Sequence, residues 1–137
     1  MKPSGSGVVI DTSAVVAVLA GETAASAVID AIDQSEPRLM SAATLVELGI
    51  VMEARLGPIG GLVVERFLRD GEVEIIALDR PQADRALDAW RRFGKGRHGA
   101  ALNLGDCYVY SLAAELGLPV LCTGNDFAQT DLEVVPD

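Results

Sequence analysis

Several features that mark whole classes of proteins are rare in this chain of 137 residues. It has two cysteines, Cys107 and Cys122, which are too few for a disulfide scaffold and lack the spacing of a zinc site. Buried free thiols are the simpler interpretation of both. No uninterrupted apolar run approaches the roughly 18 residues of a membrane span, and the first residues lack the long apolar segment of a signal peptide. We therefore expect a soluble, cytoplasmic protein without membrane contact.

Aromatic residues and basic charge are scarce as well. Hydrophobic residues make up 50% of the chain but aromatics only 4%, which predicts an aliphatic core and one domain over residues 1–137, with a loose tail at 1–6. The net charge of −9 is unlike that of proteins that hold nucleic acids through phosphates alone. A nucleic-acid ligand would need a bound cation or a local basic patch.

One segment can supply such a patch. Six of the eleven basic residues fall between Arg80 and Arg97. Arg80 and Arg85 alternate with aspartates, so a solvated helix face explains them as well as ligand binding does. No acid interrupts the later ones, so we expect these to bind the ligand: Arg91, Arg92, Lys95, Arg97 and His98.

Four carboxylates, in contrast, each stand alone in an uncharged stretch. They are Asp11, Glu47, Asp106 and Asp126. A buried charge is costly unless something pairs with it, and no lysine or arginine lies nearby in sequence. The pattern predicts that the four converge and share a divalent cation. All-oxygen ligation suits Mg²⁺ or Mn²⁺, and the absence of accompanying histidine or cysteine disfavours zinc.

Short apolar segments alternate with longer amphipathic ones, which predicts an α/β fold with a mostly parallel sheet of four to five strands and helices on both faces. The predicted strands are 7–10, 38–40, 74–78, 119–122 and 133–135. The predicted helices are 12–19, 22–33, 42–56, 60–70, 81–93 and 103–115, with a turn or short helix at 124–127.

The lone acids fall at related places on this skeleton. Asp11 directly follows the first strand, and Asp126 follows the strand at 119–122 by four residues. Glu47 and Asp106 lie in the first two turns of their helices. Ligands of parallel sheets bind at the carboxyl ends of the strands, so we expect all four acids to face one crevice.

Each acid taken alone has a simpler interpretation, except Glu47. Asp106 follows Asn103 by three residues, as in a capping box. Asp11 fits an Asx turn, and Asp126 is a common turn residue. Glu47 lies on an otherwise uncharged helix with no polar face to place it on. The metal site is inferred from the coincidence of the four.

These residues resemble those of PIN-domain ribonucleases, specifically VapC-type toxins of bacterial toxin–antitoxin pairs. The similar segments run in the family's order over nearly the whole chain. They are 9–14 (VIDTSA), 41–47 (SAATLVE), 98–107 (HGAALNLGDC) and 120–127 (VLCTGNDF). The resemblance implies a PIN-like three-layer α/β/α sandwich.

The resemblance also implies that the four acids are a catalytic quartet around Mg²⁺ or Mn²⁺. Residues matching positions that support the acids or bound water are Thr12, Ser13, Asn103, Thr123 and Asn125, although an aspartate is common in the family at the last position. The implied activity is metal-assisted hydrolysis of RNA, commonly transfer or ribosomal RNA. The implied partners are a second copy of the chain and a cognate antitoxin that enters the acidic groove.

Other functions remain to be weighed against this one. A catalytically decayed PIN-like scaffold, which only binds RNA or a protein, stays open as an alternative. A haloacid-dehalogenase-type phosphatase needs an aspartate where Ser13 stands. A response-regulator receiver needs a lysine after a later strand, and neither Lys2 nor Lys95 follows one. His98 as a general acid is an alternative to RNA contact.

Overall fold

The computed structural model describes residues 7–136, so the tail expected at 1–6 lies outside the described residues. Within this range all strands pair in parallel, in the order β3-β2-β1-β4-β5. The strands are β1 (Val8–Ile10), β2 (Arg38–Ser41), β3 (Glu74–Ile76), β4 (Val120–Leu121) and β5 (Val134–Val135). The predicted parallel α/β fold is confirmed.

Helices connect the strands, as parallel pairing requires. They are α1 (Thr12–Leu19), α2 (Ala25–Asp33), α3 (Ala42–Leu56), α4 (Ile59–Asp70), α5 (Arg80–Phe93) and α6 (Leu104–Leu116). A 3₁₀ turn follows at Phe127–Gln129. None of the helices within residues 7–136 has both the length and the apolar character needed to cross a bilayer.

The central strand β1 divides the core into two layers. Its three residues are fully buried, and successive side chains of a strand point to opposite faces. Val8 and Ile10 pack with residues of α1 to α4. Val9 packs on the other face with residues of α5 and α6. The sheet is therefore covered on both sides, and its ligand-binding surface is left at the carboxyl ends of the strands.

Two predicted boundaries were wrong by two or three residues, each for a local reason. β3 ends at Ile76 instead of Leu78, because its only neighbour in the sheet, β2, ends at Ser41, opposite Ile76. Ser41 leaves the strand to cap α3, and its side chain accepts the Ala43 N–H. α2 begins at Ala25 instead of Glu22, after a turn closed by the Ala25 N–H and the Glu22 carbonyl. α1 is capped by Asp11 and not by Thr12 or Ser13.

Candidate active site

Asp11 lies where β1 ends and α1 begins, and its side chain is only 6% exposed. The Ser13 backbone N–H and hydroxyl both donate to Asp11 Oδ2, at 3.0 and 2.6 Å. The Ser13 hydroxyl oxygen in turn accepts the Thr123 N–H at 3.0 Å. Burial raises the pKa of Asp11, and the charge of Glu47 adds to this against the hydrogen bonds from Ser13. The start of α1 and the end of β4 thus hold one buried carboxylate.

Glu47 approaches from α3 and is held between two other elements. The Thr12 hydroxyl donates to Glu47 Oε1 at 2.6 Å. On the other side the carboxylate lies against the backbone of Gly105, in the first turn of α6. A Cβ placed on Gly105 would lie 2.7 Å from Glu47 Cδ and collide with the carboxylate oxygens. A larger residue at this position would push the Glu47 carboxylate away from α6.

Asp106 belongs to the cap of α6 and is half-buried. Its backbone N–H donates to Asn103 Oδ1 at 2.8 Å, and its own Oδ2 accepts the Asn103 N–H at 3.1 Å. The capping-box interpretation of this pair is therefore correct. Burial, together with the charges of Asp11, Asp126 and Glu47, raises the pKa of Asp106 to about 6 against the lowering effect of the Asn103 hydrogen bond. Asp106 thus interacts electrostatically with the other three acids.

Asp126 is exposed, in the turn between β4 and the 3₁₀ turn at Phe127–Gln129. Its side chain makes no capping hydrogen bond, so the carboxylate is not held by the turn. Its neighbour Asn125 is also exposed. Cys122 reports on the same cluster, because burial and then the charges of Asp11, Asp106 and Asp126 raise the pKa of its thiol to about 12. The thiol remains protonated and is no nucleophile at neutral pH.

No protein cation balances this group of acids. The ion pairs found in residues 7–136 are Arg66–Asp70, Arg80–Asp84 and Arg92–Asp131, none of which involves the quartet. Two carboxylates ~5 Å apart at an effective dielectric constant near 20 repel by roughly 3 kcal/mol. Within the same range, no three acidic, histidine or cysteine side chains already stand as a coordination set. The donor chemistry fits a hard divalent cation, and coordination requires side chains to turn towards it.

The predicted RNA-binding residues lie at the end of α5 and in the loop that leads to α6. Arg92 donates to the Tyr110 hydroxyl at 3.2 Å and to Asp131 Oδ2 at 3.4 Å, so its charge is already paired. His98 Nδ1 accepts the Ala100 N–H at 2.9 Å, and its ring packs edge-on against Phe93. Arg91, Lys95 and Arg97 are exposed. The structure thus groups four acids electrostatically at one edge of the sheet and places Lys95 in a depression with Asn103, the cap of α6.

Sequence reasoning missed two features of this region. Gly105 was overlooked, although a glycine inside a helical pattern signals a close approach. Trp90 was the other: it is 42% exposed, with the Arg97 guanidinium carbon 4.6 Å from the centre of its ring. The aromatic residue among basic ones was the available signal for it.

Comparison with known proteins places the chain in a family. The model of the PIN domain matches residues 8–133. Ribonuclease VapC30 of Mycobacterium tuberculosis is 45% identical over 127 residues, covering 93% of this chain and 97% of the relative. Ribonuclease VapC of Mycolicibacterium smegmatis is also 45% identical over 127 residues, covering 93% and 98%.

Solved structures agree on the fold. The crystal structure of Mycobacterium tuberculosis VapC20, described as a sarcin-ricin loop cleaving toxin, has a TM-score of 0.77 at 16% identity and covers 94% of this chain and 98% of its own. A toxin–antitoxin complex from Klebsiella pneumoniae has a TM-score of 0.70 at 17% identity and covers 96% and 98%.

Ribonucleases with this domain depend on metal ions in general, which agrees with a cluster of carboxylates that has no protein cation. The matched family model spans nearly all the described residues, and the fold and the sequence relatives point to the same group. The chain therefore belongs to the PIN-domain family, as a ribonuclease of the VapC type.

Proposed function

We propose that the chain is a Mg²⁺- or Mn²⁺-dependent endoribonuclease that acts in the cytoplasm as the toxin of a type II toxin–antitoxin pair. The observation that carries this proposal is the group of four acids at the carboxyl edge of the sheet, whose charge has no protein cation among the described residues. Such an arrangement destabilises the protein by itself and gains its use when a cation binds.

The residues have distinct roles in this proposal. Asp11, Glu47, Asp106 and Asp126 hold the cation through their carboxylate oxygens. When bound, the cation supplies Lewis-acid stabilisation of the developing phosphate charge and lowers the pKa of an attacking water.

The supporting residues keep the carboxylates oriented before substrate arrives. Ser13 fixes Asp11, Thr12 fixes Glu47 and the Asn103 N–H fixes Asp106. Thr123 steadies the Ser13 hydroxyl. Asn125 adjoins Asp126 in an exposed turn and remains available to the cation's outer ligands.

The proposed substrate is structured RNA, either transfer or ribosomal. Arg91, Lys95, Arg97 and His98 are exposed at the end of α5 and in the loop that leads to α6, and they would hold its phosphates. Arg92 would add to this only when its pairing with Asp131 opens. The proposed assembly is a homodimer that a cognate antitoxin inhibits. The fold shared with the chain from the Klebsiella pneumoniae toxin–antitoxin complex supports that partner.

Replacing Asp11 by asparagine tests the proposal. The substitution keeps the shape of a side chain that caps α1 but removes its charge, so we expect cleavage of total RNA with Mn²⁺ to fall at least about 100-fold. Excess EDTA should abolish the activity of the unaltered protein. The matched control is Asp70→Asn, which removes an exposed carboxylate at the far end of α4 and should leave the rate unchanged.

Full activity of Asp11→Asn, or full activity in EDTA, would overturn the metal-dependent assignment. The alternative of a decayed scaffold has its own signature. It predicts RNA or antitoxin binding with no cleavage and no heat of Mn²⁺ binding in isothermal titration of the unaltered protein. A heat signal that Asp11→Asn removes would exclude that alternative.

A further inference from the structure

Trp90 is presented at the surface in a fixed position. α5 buries Gln82, Ala86 and Ala89 against the core, and the indole beside them remains 42% exposed. One edge of the ring lies against the backbone of Gly94, where an added Cβ would be 2.8 Å from Trp90 Nε1. Arg97 lies over the ring, with its guanidinium carbon 4.6 Å from the centroid, and its Nε donates to the Arg91 carbonyl at 3.3 Å. The aromatic face and its cation are thus held together.

Two neighbouring depressions, referred to together as the groove, lie between Trp90 and Glu47. Trp90 and Lys95 line a cavity of about 470 Å³ that extends to Asn103, the cap of α6. A second depression, of about 420 Å³, contains Glu47 and Gly105. The two share Asn103, Leu104 and Tyr108 as walls. A ligand lying in this groove therefore has a carboxylate at one end and an indole with basic neighbours at the other.

The chemistry of the two ends matches a polynucleotide. A cation held by the acids would take a phosphate, and Lys95 along the groove would take another. The exposed indole and the planar guanidinium offer a stacking surface that accepts any base. An unpaired nucleotide of RNA is the occupant that the charges favour.

We propose that Trp90 and Arg97 form a base-stacking subsite that holds one unpaired nucleotide of the RNA near the cleavage site. This inference rests on the proposed ribonuclease function, which it deepens by locating a substrate contact outside the quartet. The proposal requires the cleaved RNA to be unpaired at the nucleotide that stacks on Trp90.

Trp90 is the only tryptophan of the chain, so its fluorescence reports on this subsite alone. The experiment titrates a short single-stranded oligoribonucleotide into full-length Asp11→Asn protein, which binds without cutting. We expect saturable quenching, and much weaker quenching by an abasic oligomer of the same length. Binding seen by anisotropy of a labelled oligomer with unchanged tryptophan emission would overturn the subsite.

Variants separate stacking from general effects. In the Asp11→Asn background, Trp90→Ala should weaken RNA binding about tenfold, and Trp90→Phe, which keeps a ring, should weaken it less. Leu116→Ala is the control, since Leu116 is 45% exposed at the opposite end of α6 and should leave the affinity unchanged. Unchanged RNA affinity of Trp90→Ala, with a shifted monomer–dimer equilibrium in sedimentation, would instead assign this surface to subunit contact and overturn the proposal.

The two proposals fail in different ways. Cleavage by the unaltered protein without quenching removes the subsite and leaves the ribonuclease. Quenching by RNA but not by the abasic oligomer, without any cleavage, keeps the subsite and removes the proposed activity.

Discussion

Two aspartates near α6 have opposite environments. Asp131 accepts hydrogen bonds from the Tyr110 hydroxyl at 2.6 Å and from Arg92 at 3.4 Å, and these partners lower the pKa of its carboxyl group. Asp106 lies among three other acids, and burial and their charges raise its pKa to about 6. The first carboxylate is paired with a protein cation. The second accepts the Asn103 N–H but takes part in none of the ion pairs of residues 7–136, and in that sense its charge is unsatisfied.

The difference separates two uses of the same side chain. A carboxylate that serves the fold comes with its own donors, as Asp131 does with Tyr110 and Arg92. Carboxylates that serve a ligand are held together at a cost in stability, because their like charges repel. Raised pKa values of this kind are concentrated at functional sites. Buried Ser111 and Gln82, which hydrogen-bond each other between α5 and α6, belong with Asp131. The unsatisfied set lies only at the carboxyl edge of the sheet, within residues 7–136.

The strongest way to disturb the unsatisfied region without removing a charge is Gly105→Ala. The added Cβ collides with the Glu47 carboxylate and displaces it, so cleavage should fall on the order of 10- to 100-fold. The measurement is the rate of RNA cleavage with Mn²⁺, together with thermal melting to confirm folding.

Gly49→Ala is the matched control, because it is a helical glycine of α3 with open space around it. We expect that variant to keep its activity and to gain about 0.5–1 kcal/mol in stability. Equal rates for the two variants would show that the contact of Glu47 with α6 does not matter.

A smaller effect is expected from the titration of Asp106 in metal-free protein. Its folded pKa of about 6 lies above the ordinary 3.8, so between these values the folded state binds more protons than the unfolded state. The free energy of unfolding therefore falls as the pH rises from about 4 to about 6, and the loss persists above that.

Asp106→Asn removes this loss, so in EDTA it should melt higher than the unaltered protein at about pH 8 and similarly at about pH 4. Differential scanning calorimetry at the two pH values makes the comparison. A variant that melts lower than the parent at neutral pH would contradict the strained state of the quartet. Added Mn²⁺ should stabilise the parent more than the variant.

The smallest effect is expected in the satisfied region. Tyr110→Phe removes the hydroxyl that donates to Asp131 and accepts from Arg92, so the free energy of unfolding should fall by about 1 kcal/mol. Urea denaturation measures it, and a double-mutant cycle with Asp131→Asn isolates the coupling. RNA cleavage should stay unchanged, and a large loss of cleavage would mean that the two regions are not independent.

The sequence predicted the order of the elements well, because short apolar strands alternating with amphipathic helices leave few other arrangements. It also predicted which edge carries Asp11 and Asp126, since that follows from their places after β1 and β4. It did not predict the pairing of Arg92 with Asp131. Arg92 and Asp131 are 39 residues apart, and nothing local to either indicates their pairing.

Side-chain exposure was the other limit. On α5 the small residues Ala86 and Ala89 fill the buried face, so Trp90 is left outside although it is the largest side chain. On α4, Leu62 was expected to face inward and is 71% exposed, while Val64 and Leu68 are buried. Rotating the buried face of a helix by one residue decides which of these side chains is exposed. That rotation is set by packing against other elements, which the spacing of hydrophobic residues in the sequence does not reveal.

Asp11 directly follows the buried strand β1 and caps α1, so no loop separates the strand from the helix. The backbone that carries Asp11 thus has no hinge, and we expect it to tolerate few substitutions. The basic segment at 94–101 is a loop between two helices, and loops accept substitutions and insertions readily. If this loop binds RNA as proposed, mutations in it would change the RNA contacts of the protein while leaving the four acids in place.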